Sequence, residues 1–385
     1  MNISKRVSQI IKSAIHEMTR LSKQYEDVAF LSWAKPTAGT PRHINDAAIT
    51  AIEKGLTGGY SQSEGLDELR EEIIKKLKQD NNIDANISQI ILTVGAIEGL
   101  AAAVMATIDP GDEVILPTPT YSTHITQVKI ASGKPVLVPL VEENDFALDI
   151  DAIKEAITPK TKAIMFCTPN NPTGTVFQEE DLRKLSEIVL EKRLTVIVDE
   201  AYEYFTFDDK KHFSIASIPE LSKNIITAYT FTKTYAMTGW RIGYLFADEE
   251  YITQIKKAHI PMTICAPVVS QYAALAALKG SQECVEEFRQ HYLTTRNLMC
   301  ERLDNLISVF QYSKPSGSYL MFPRLLGGFG KDSVEFSKKL LSEAKVSTTP
   351  GIAFGPTGEG HIRLSFCVPQ EMINKAFDRM EKYFK

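Results

Sequence analysis

From about Asp46 to Gly280 the chain repeats one rhythm: a short run rich in Val, Ile and Leu, then a longer stretch whose apolar residues recur at helical spacing. Short strands alternating with amphipathic helices give parallel strands joined by crossover helices, so the fold class is narrowed to α/β. The runs that read as strands are IILTV (90–94), EVILP (113–117), PVLVPL (135–140), AIMFC (163–167), TVIVD (195–199), IITAYT (225–230) and RIGYLFA (241–247). They predict one large, seven-stranded, mostly parallel sheet flanked by helices. Among the helical runs are LDELREEIIKKLKQ and EEDLRKLSEIVLEKR, the second following Gln178 in a capping position. The apolar stretch from Ile90 to Ile108 approaches membrane length. It contains Glu98 and two glycines, though, and divides into a β-branched half and an Ala-rich half, which reads as a strand turning into a helix.

On either side the rhythm stops. The first 24 residues interrupt their apolar positions with Lys, Arg, His and Glu at helical spacing, so no continuous apolar segment marks a signal peptide. Next comes AKPTAGTPRHI, where Pro36, Gly39 and Pro41 oppose regular structure and suggest a domain crossing. From Ser281 to about Leu306 runs a long charged helix, followed by mixed strand and helix that reads as a smaller α+β domain. A chain of 385 residues has room for two or three domains, or one large domain with a satellite. With 43 Lys+Arg against 48 Asp+Glu and no block of like charge, the chain lacks the clustered cations that a nucleic-acid surface needs. Five scattered cysteines without a CxxC pair suit a reducing cytoplasm.

In open parallel sheets, ligands bind at the carboxyl ends of the strands. Four of those ends carry unusual polar groups. After IILTV comes Gly95-Ala96-Ile97-Glu98-Gly99, a glycine turn opening a helix, whose free N–H groups suit a phosphate. After AIMFC comes Thr168-Pro169-Asn170-Asn171-Pro172-Thr173-Gly174, a rigid loop presenting an amide between prolines. Asp199 ends TVIVD and is followed by Glu200-Ala201-Tyr202. Taken alone, such an Asp more often caps the next helix than meets a ligand. After IITAYT comes Lys233, with hydroxyls at Thr230 and Thr232 before it and Arg241 eight residues later, a reactive amine beside anion-binding groups.

The string Thr230-x-x-Lys233 followed by Met237-x-Gly239-x-Arg241, with Asn171-Pro172-Thr173-Gly174 and Asp199-x-x-Tyr202, resembles the class I and II aminotransferases. These are fold-type I enzymes that use pyridoxal 5′-phosphate, and the resemblance runs from about Ser13 to Arg363. It implies a large cofactor-binding domain over 46–285 and a small domain formed by both chain ends, 1–45 and 286–385. It also implies that Lys233 forms a Schiff base to the cofactor and shuttles the proton, while Asp199 pairs with the pyridine nitrogen. Asn171 and Tyr202 would hydrogen-bond the ring's phenolic oxygen. Arg241, Thr230 and the N–H groups of Ala96 and Ile97 would clamp the phosphate, with Gly95 and Thr232 completing the cofactor set. Tyr121 stands where the family stacks an aromatic ring on the cofactor. Arg363, alternating with Ile362 and Leu364 on a strand, matches the residue that forks onto the substrate α-carboxylate. Tyr60 matches a tyrosine that reaches the phosphate of the neighbouring subunit, which implies a homodimer with shared active sites.

Two departures bear on the substrate. Ala34 stands where relatives carry the glycine that backs the substrate carboxylate. Ile97 stands where aspartate-specific members of the nearest subgroup carry a lysine for the distal carboxylate. An acidic side chain beside Ile97 would lack a partner, so the expected amino donor is neutral, aromatic or otherwise non-acidic, although Lys35 could restore a positive charge. The expected activity is transfer of that amine to a 2-oxo acid, with small-molecule substrates, no nucleic acid, no membrane and no metal. A carbon–sulfur β-lyase on the same scaffold is the alternative, because fold and cofactor motifs do not separate the two outcomes.

Overall fold

The structure, a computed structural model, describes residues 3–8, 10 and 13–385. The amphipathic reading of the N-terminus therefore falls outside the described residues at Met1, Asn2, Gln9, Ile11 and Lys12. All seven expected runs are strands: β1 Ile90–Thr93, β2 Glu113–Thr118, β3 Lys134–Pro139, β4 Thr161–Cys167, β5 Thr195–Asp199, β6 Ile225–Thr230 and β7 Gly243–Ala247. They form one sheet in the order β1-β7-β6-β5-β4-β2-β3. Every pairing is parallel except those of β7, which runs antiparallel to β1 and β6.

Side chains alternate across the pleat, and both faces are apolar. Val196 and Val198 of β5 join Leu92, Ile164 and Phe166 in one cluster. Ile197 turns the other way, toward Ile91, Met165 and Ile226, against Leu100 and Val104 of the helix Gly95–Thr107. Strands covered on both faces read as continuous apolar runs, which is why they stand out in the sequence.

The helices Asp67–Asn81 and Glu179–Lys192 also lie where their periodicity puts them. Gln178 is at the N-cap of the latter, but its side chain makes no capping bond and donates instead to Val176 O at 3.2 Å. The turn-rich stretch ends sooner than expected: with Pro41 at the N-cap, a helix already runs from Arg42 to Glu53. The seventh strand starts two residues late. Arg241 takes a left-handed conformation (φ 53°) after a short turn and lies outside β7.

A separate apolar cluster joins residues from both parts of the chain, among them Ala29 and Leu31 with Met299, Phe310, Leu340, Phe366 and Phe377. Strand Ala29–Phe30 pairs in parallel with Val346–Ser347. Arg363 lies on the strand Ile362–Ser365, held between Leu320–Met321 and Thr349–Pro350. Among the described residues no helix is long and apolar enough to cross a membrane. All five cysteines are free thiols.

Candidate active site

At the carboxyl ends of β1, β4, β5 and β6 lies a cavity of about 560 Å³. The motifs singled out in the sequence converge on it, each placed by a local feature. Gly95 has φ +74°, and a Cβ there would sit 2.5 Å from Nη2 of Arg241, so only glycine lets the guanidinium lie against the start of the helix Gly95–Thr107. Gly243 does the same for the strand. A Cβ on it would meet Tyr229 O at 2.6 Å and Ala96 N at 2.8 Å. Arg241 donates to Thr238 O (3.0 Å) and Val94 O (3.4 Å), which leaves further N–H groups for a ligand. Ala96 and Ile97 line the cavity at the positive end of the helix dipole.

Thr230 ends β6, and its hydroxyl accepts from Thr232 N at 3.2 Å, capping the turn Phe231–Thr234 that carries Lys233. The Lys233 amine donates to Ala34 O at 2.8 Å. Burial lowers its pKa to about 8; Arg363 and Arg241 push the same way, while Cys367 and Asp199 oppose. Asp199, the last residue of β5, is buried. Its Oδ1 accepts from Ala201 N (3.1 Å) in a turn with no helix after it, so the helix cap expected of a lone Asp is absent, while Oδ2 lies 3.2 Å from Nε2 of buried His124. Nδ1 of His124 is 3.3 Å from the Thr120 hydroxyl.

Arg363 is 2% exposed. Its Nη1 donates to Asn171 Oδ1 (3.1 Å) and its Nη2 to Ser32 O (2.9 Å), but Nε has no partner. The Phe354 ring lies 4.9 Å from the guanidinium carbon. Burial pulls its pKa below the usual value for arginine. A buried guanidinium with no carboxylate is costly until an anion arrives, so Arg363 on the lining suits this end of the cavity to an anionic ligand. Tyr202 is buried edge-on against Tyr319 (5.1 Å, 86°), and burial raises its phenol. Tyr121 lines the cavity and meets His124 edge-on at 5.6 Å, while Thr232 and Ala34 line it as well. Tyr60 does not join them. It is 79% exposed and borders a separate shallow pocket with Ile52 and Val268.

His124, Tyr319 and Cys367 were not singled out from the sequence. The nearest signal is the Thr120–His124 spacing of four across the start of the helix Ser122–Ile130; nothing comparable marks the other two.

A phosphate at the Gly95 turn, a ring nitrogen near Asp199 and an aldehyde within reach of Lys233 would each find a fitting group, so the residues suit pyridoxal phosphate. The fold and site thus define an enzyme that uses this cofactor. The chain belongs to the class I and II aminotransferases, and that family matches residues 27–380. It is 39% identical to the aromatic-amino-acid aminotransferase 2 of Thermococcus litoralis and 40% identical to the aspartate aminotransferase of Pyrococcus abyssi, covering 100% of this chain and 99% of either relative. Among solved structures, the aromatic aminotransferase of Pyrococcus horikoshii superposes with a TM-score of 0.90 at 38% identity, over 96% of this chain and 98% of that one. The aspartate aminotransferase of Thermus thermophilus with maleate gives 0.93 at 31%, over 99% of each. The chain is therefore an aminotransferase dependent on pyridoxal phosphate.

Proposed function

We propose that the amino donor is a neutral, aromatic or otherwise non-acidic L-amino acid and that the acceptor is a 2-oxo acid. Relatives named for aromatic and for aspartate substrates stand at nearly equal identity, so the donor has to be read from the cavity walls. The supporting observation is Ile97, 44% exposed and lining the cavity together with Trp33 and Tyr121. A distal carboxylate there would lose water and gain no cation. Lys35, on the same lining, is exposed to solvent, where its charge is screened.

Bound pyridoxal phosphate supplies an electron sink for the pair left when the substrate Cα–H bond breaks. The residue roles are part of the proposal. Lys233 would hold the cofactor at its aldehyde carbon, and its freed amine would take the Cα proton and pass it on. Asp199, steadied by His124, would face the ring nitrogen. Asn171 and Tyr202 would donate to the phenolic oxygen, and Tyr121 would cover the ring. Arg241, Thr230 and the N–H groups of Ala96 and Ile97 would hold the phosphate. Arg363 would receive the α-carboxylate. The reading extends to a homodimer in which Tyr60 serves the neighbouring site, supported by its exposure on an apolar rim away from its own cavity. It also extends to a cytoplasmic setting and to a large domain over 46–285 with a small one from 1–45 and 286–385, supported by the separate apolar cluster that joins both chain ends.

The test is a panel of single amino acids mixed with the yellow enzyme, following loss of the aldehyde-form absorbance. Neutral and aromatic donors should bleach it fastest. Ile97→Lys should raise the rate with aspartate about tenfold. Fast conversion by aspartate in the unaltered enzyme overturns the donor assignment, and pyruvate released from a cysteine conjugate without any 2-oxo acid would mark the lyase instead.

A further inference from the structure

One edge of the cavity is built by a short segment, Ser32 to Lys35, whose four carbonyl oxygens all face donors distant in sequence. Ser32 O accepts from Arg363 Nη2 at 2.9 Å and from the Thr349 hydroxyl at 3.2 Å. The Cys367 sulfur lies 3.7 Å from Trp33 O and 3.2 Å from Lys35 O, and its single S–H can serve either. Ala34 O, between them, accepts twice: from Lys233 Nζ at 2.8 Å and from the Tyr319 hydroxyl at 3.1 Å. Tyr319 has no exposed surface, and its ring is wedged against Tyr202 (5.1 Å) and Tyr292 (5.2 Å). The Lys233 amine lies 5.8 Å from the ring centres of both Tyr202 and Tyr319.

We propose that the Ala34 carbonyl is the docking point for the free amine of Lys233, and that Tyr319 is a positioning residue that fixes this oxygen and tempers its pull on the amine. The inference rests on the reading of Lys233 as the group that moves the proton. A carbonyl oxygen has two lone pairs, and here both are engaged. An ammonium is a stronger donor than an amine, so an oxygen facing Nζ favours the protonated form. A second donor on the same oxygen weakens that preference. Burial and the Tyr319 hydroxyl then act in one direction, keeping Lys233 in the form that accepts a proton. The same bond fixes where Nζ rests, and proton transfer depends on that distance.

Tyr319→Phe keeps the ring and removes only the hydroxyl. Tyr292→Phe is the control, because the Tyr292 hydroxyl is buried in the same aromatic cluster without a partner. In the pyridoxamine-phosphate form, where the amine is free, trace acetic anhydride labels Lys233 in proportion to its unprotonated fraction. Peptide mass spectrometry then reads the pH of half-labelling. Tyr319→Phe should move that midpoint up by roughly half a pH unit. It should also slow the donor half-reaction about three- to tenfold with donor affinity unchanged. Replacing Tyr319 with 3,5-difluorotyrosine, whose hydroxyl donates more strongly in the same shape, should move the midpoint down and also covers the case in which Tyr319→Phe does not fold. An unmoved midpoint, shifts of the same sign in both Tyr319 variants, or an equal shift in Tyr292→Phe overturns the proposal. If instead Lys233→Ala keeps its turnover, the underlying reading of Lys233 has failed.

Discussion

Asp199 and Glu200 are neighbours at the end of one strand, both buried carboxylates, yet they belong to different kinds of surroundings. Asp199 opens onto the cavity. Glu200 points into a closed polar cluster, where its Oε1 accepts from the Ser214 hydroxyl (2.8 Å) and its Oε2 lies 3.1 Å from Nε2 of His212, an ion-pair distance without hydrogen-bond alignment. Nearby, Glu203 receives Lys76 Nζ at 2.5 Å and Asn81 Nδ2 at 2.8 Å, and the same ammonium stands 4.6 Å over the Tyr229 ring. The closed cluster holds its own cation, Lys76. The cavity instead brings together Lys233, Arg241 and Arg363 with Asp199 as the one carboxylate among the described residues on its lining. Buried charge alone therefore does not mark the site; cations in excess of carboxylates around an open cavity do.

Substitutions should separate the two surroundings, one through rate and the other through stability. Lys233→Ala should slow the donor half-reaction on the order of 10⁴-fold while the urea unfolding free energy stays within about 1 kcal/mol. Glu200→Ala should do the reverse, costing about 3 kcal/mol in urea unfolding because the buried Ser214 hydroxyl loses its acceptor and a cavity opens beside it, with the rate of the remaining folded enzyme changed less than about threefold. A large loss of rate with unchanged stability in Glu200→Ala would join the two surroundings into one. pH offers a smaller handle. Because the amine of Lys233 titrates at about 8, the single-turnover reaction of the pyridoxamine-phosphate form with a 2-oxo acid should rise with pH through that value and level off above it. Below it the rate should fall about tenfold per unit, since only the unprotonated amine accepts a proton. Smallest of all, Ser214→Ala should cost about 1.5 kcal/mol through its lost bond to Glu200 and leave the kinetics unaltered.

Much of the fold could be read from sequence because the central strands are apolar on both faces and each is bounded by turn formers. What periodicity could not show is strand order or direction. That β7 runs against its neighbours is set by how it packs on β1 and β6, and its late start follows from the left-handed residue at Arg241 and the close approach that demands Gly243. Within the site, Asp199 ends a strand, Asn171 and Lys233 stand within four residues of one, and Arg241 shares the loop of Lys233, so all four were legible there. Arg363 needed the family resemblance, since an arginine on a strand is ordinarily a surface residue. His124, Tyr319 and Cys367 contact partners 75, 285 and 332 positions away, and a local pattern carries no trace of such contacts.

The segment Ser32–Lys35 also has a consequence for how the enzyme is made. The sheet that carries Lys233 is complete in sequence by Ala247, whereas the donors that hold this segment come from Tyr319, Thr349, Arg363 and Cys367. Synthesis runs from the N-terminus and domains fold as units, so the segment leaves the ribosome among the first residues and its carbonyls stay in water until some 330 more have followed. A nascent chain therefore carries both Lys233 and the Ala34 oxygen it faces long before the donors that fix that oxygen have been made, and the arrangement described here is complete only once the strand Ile362–Ser365 and Cys367 have followed.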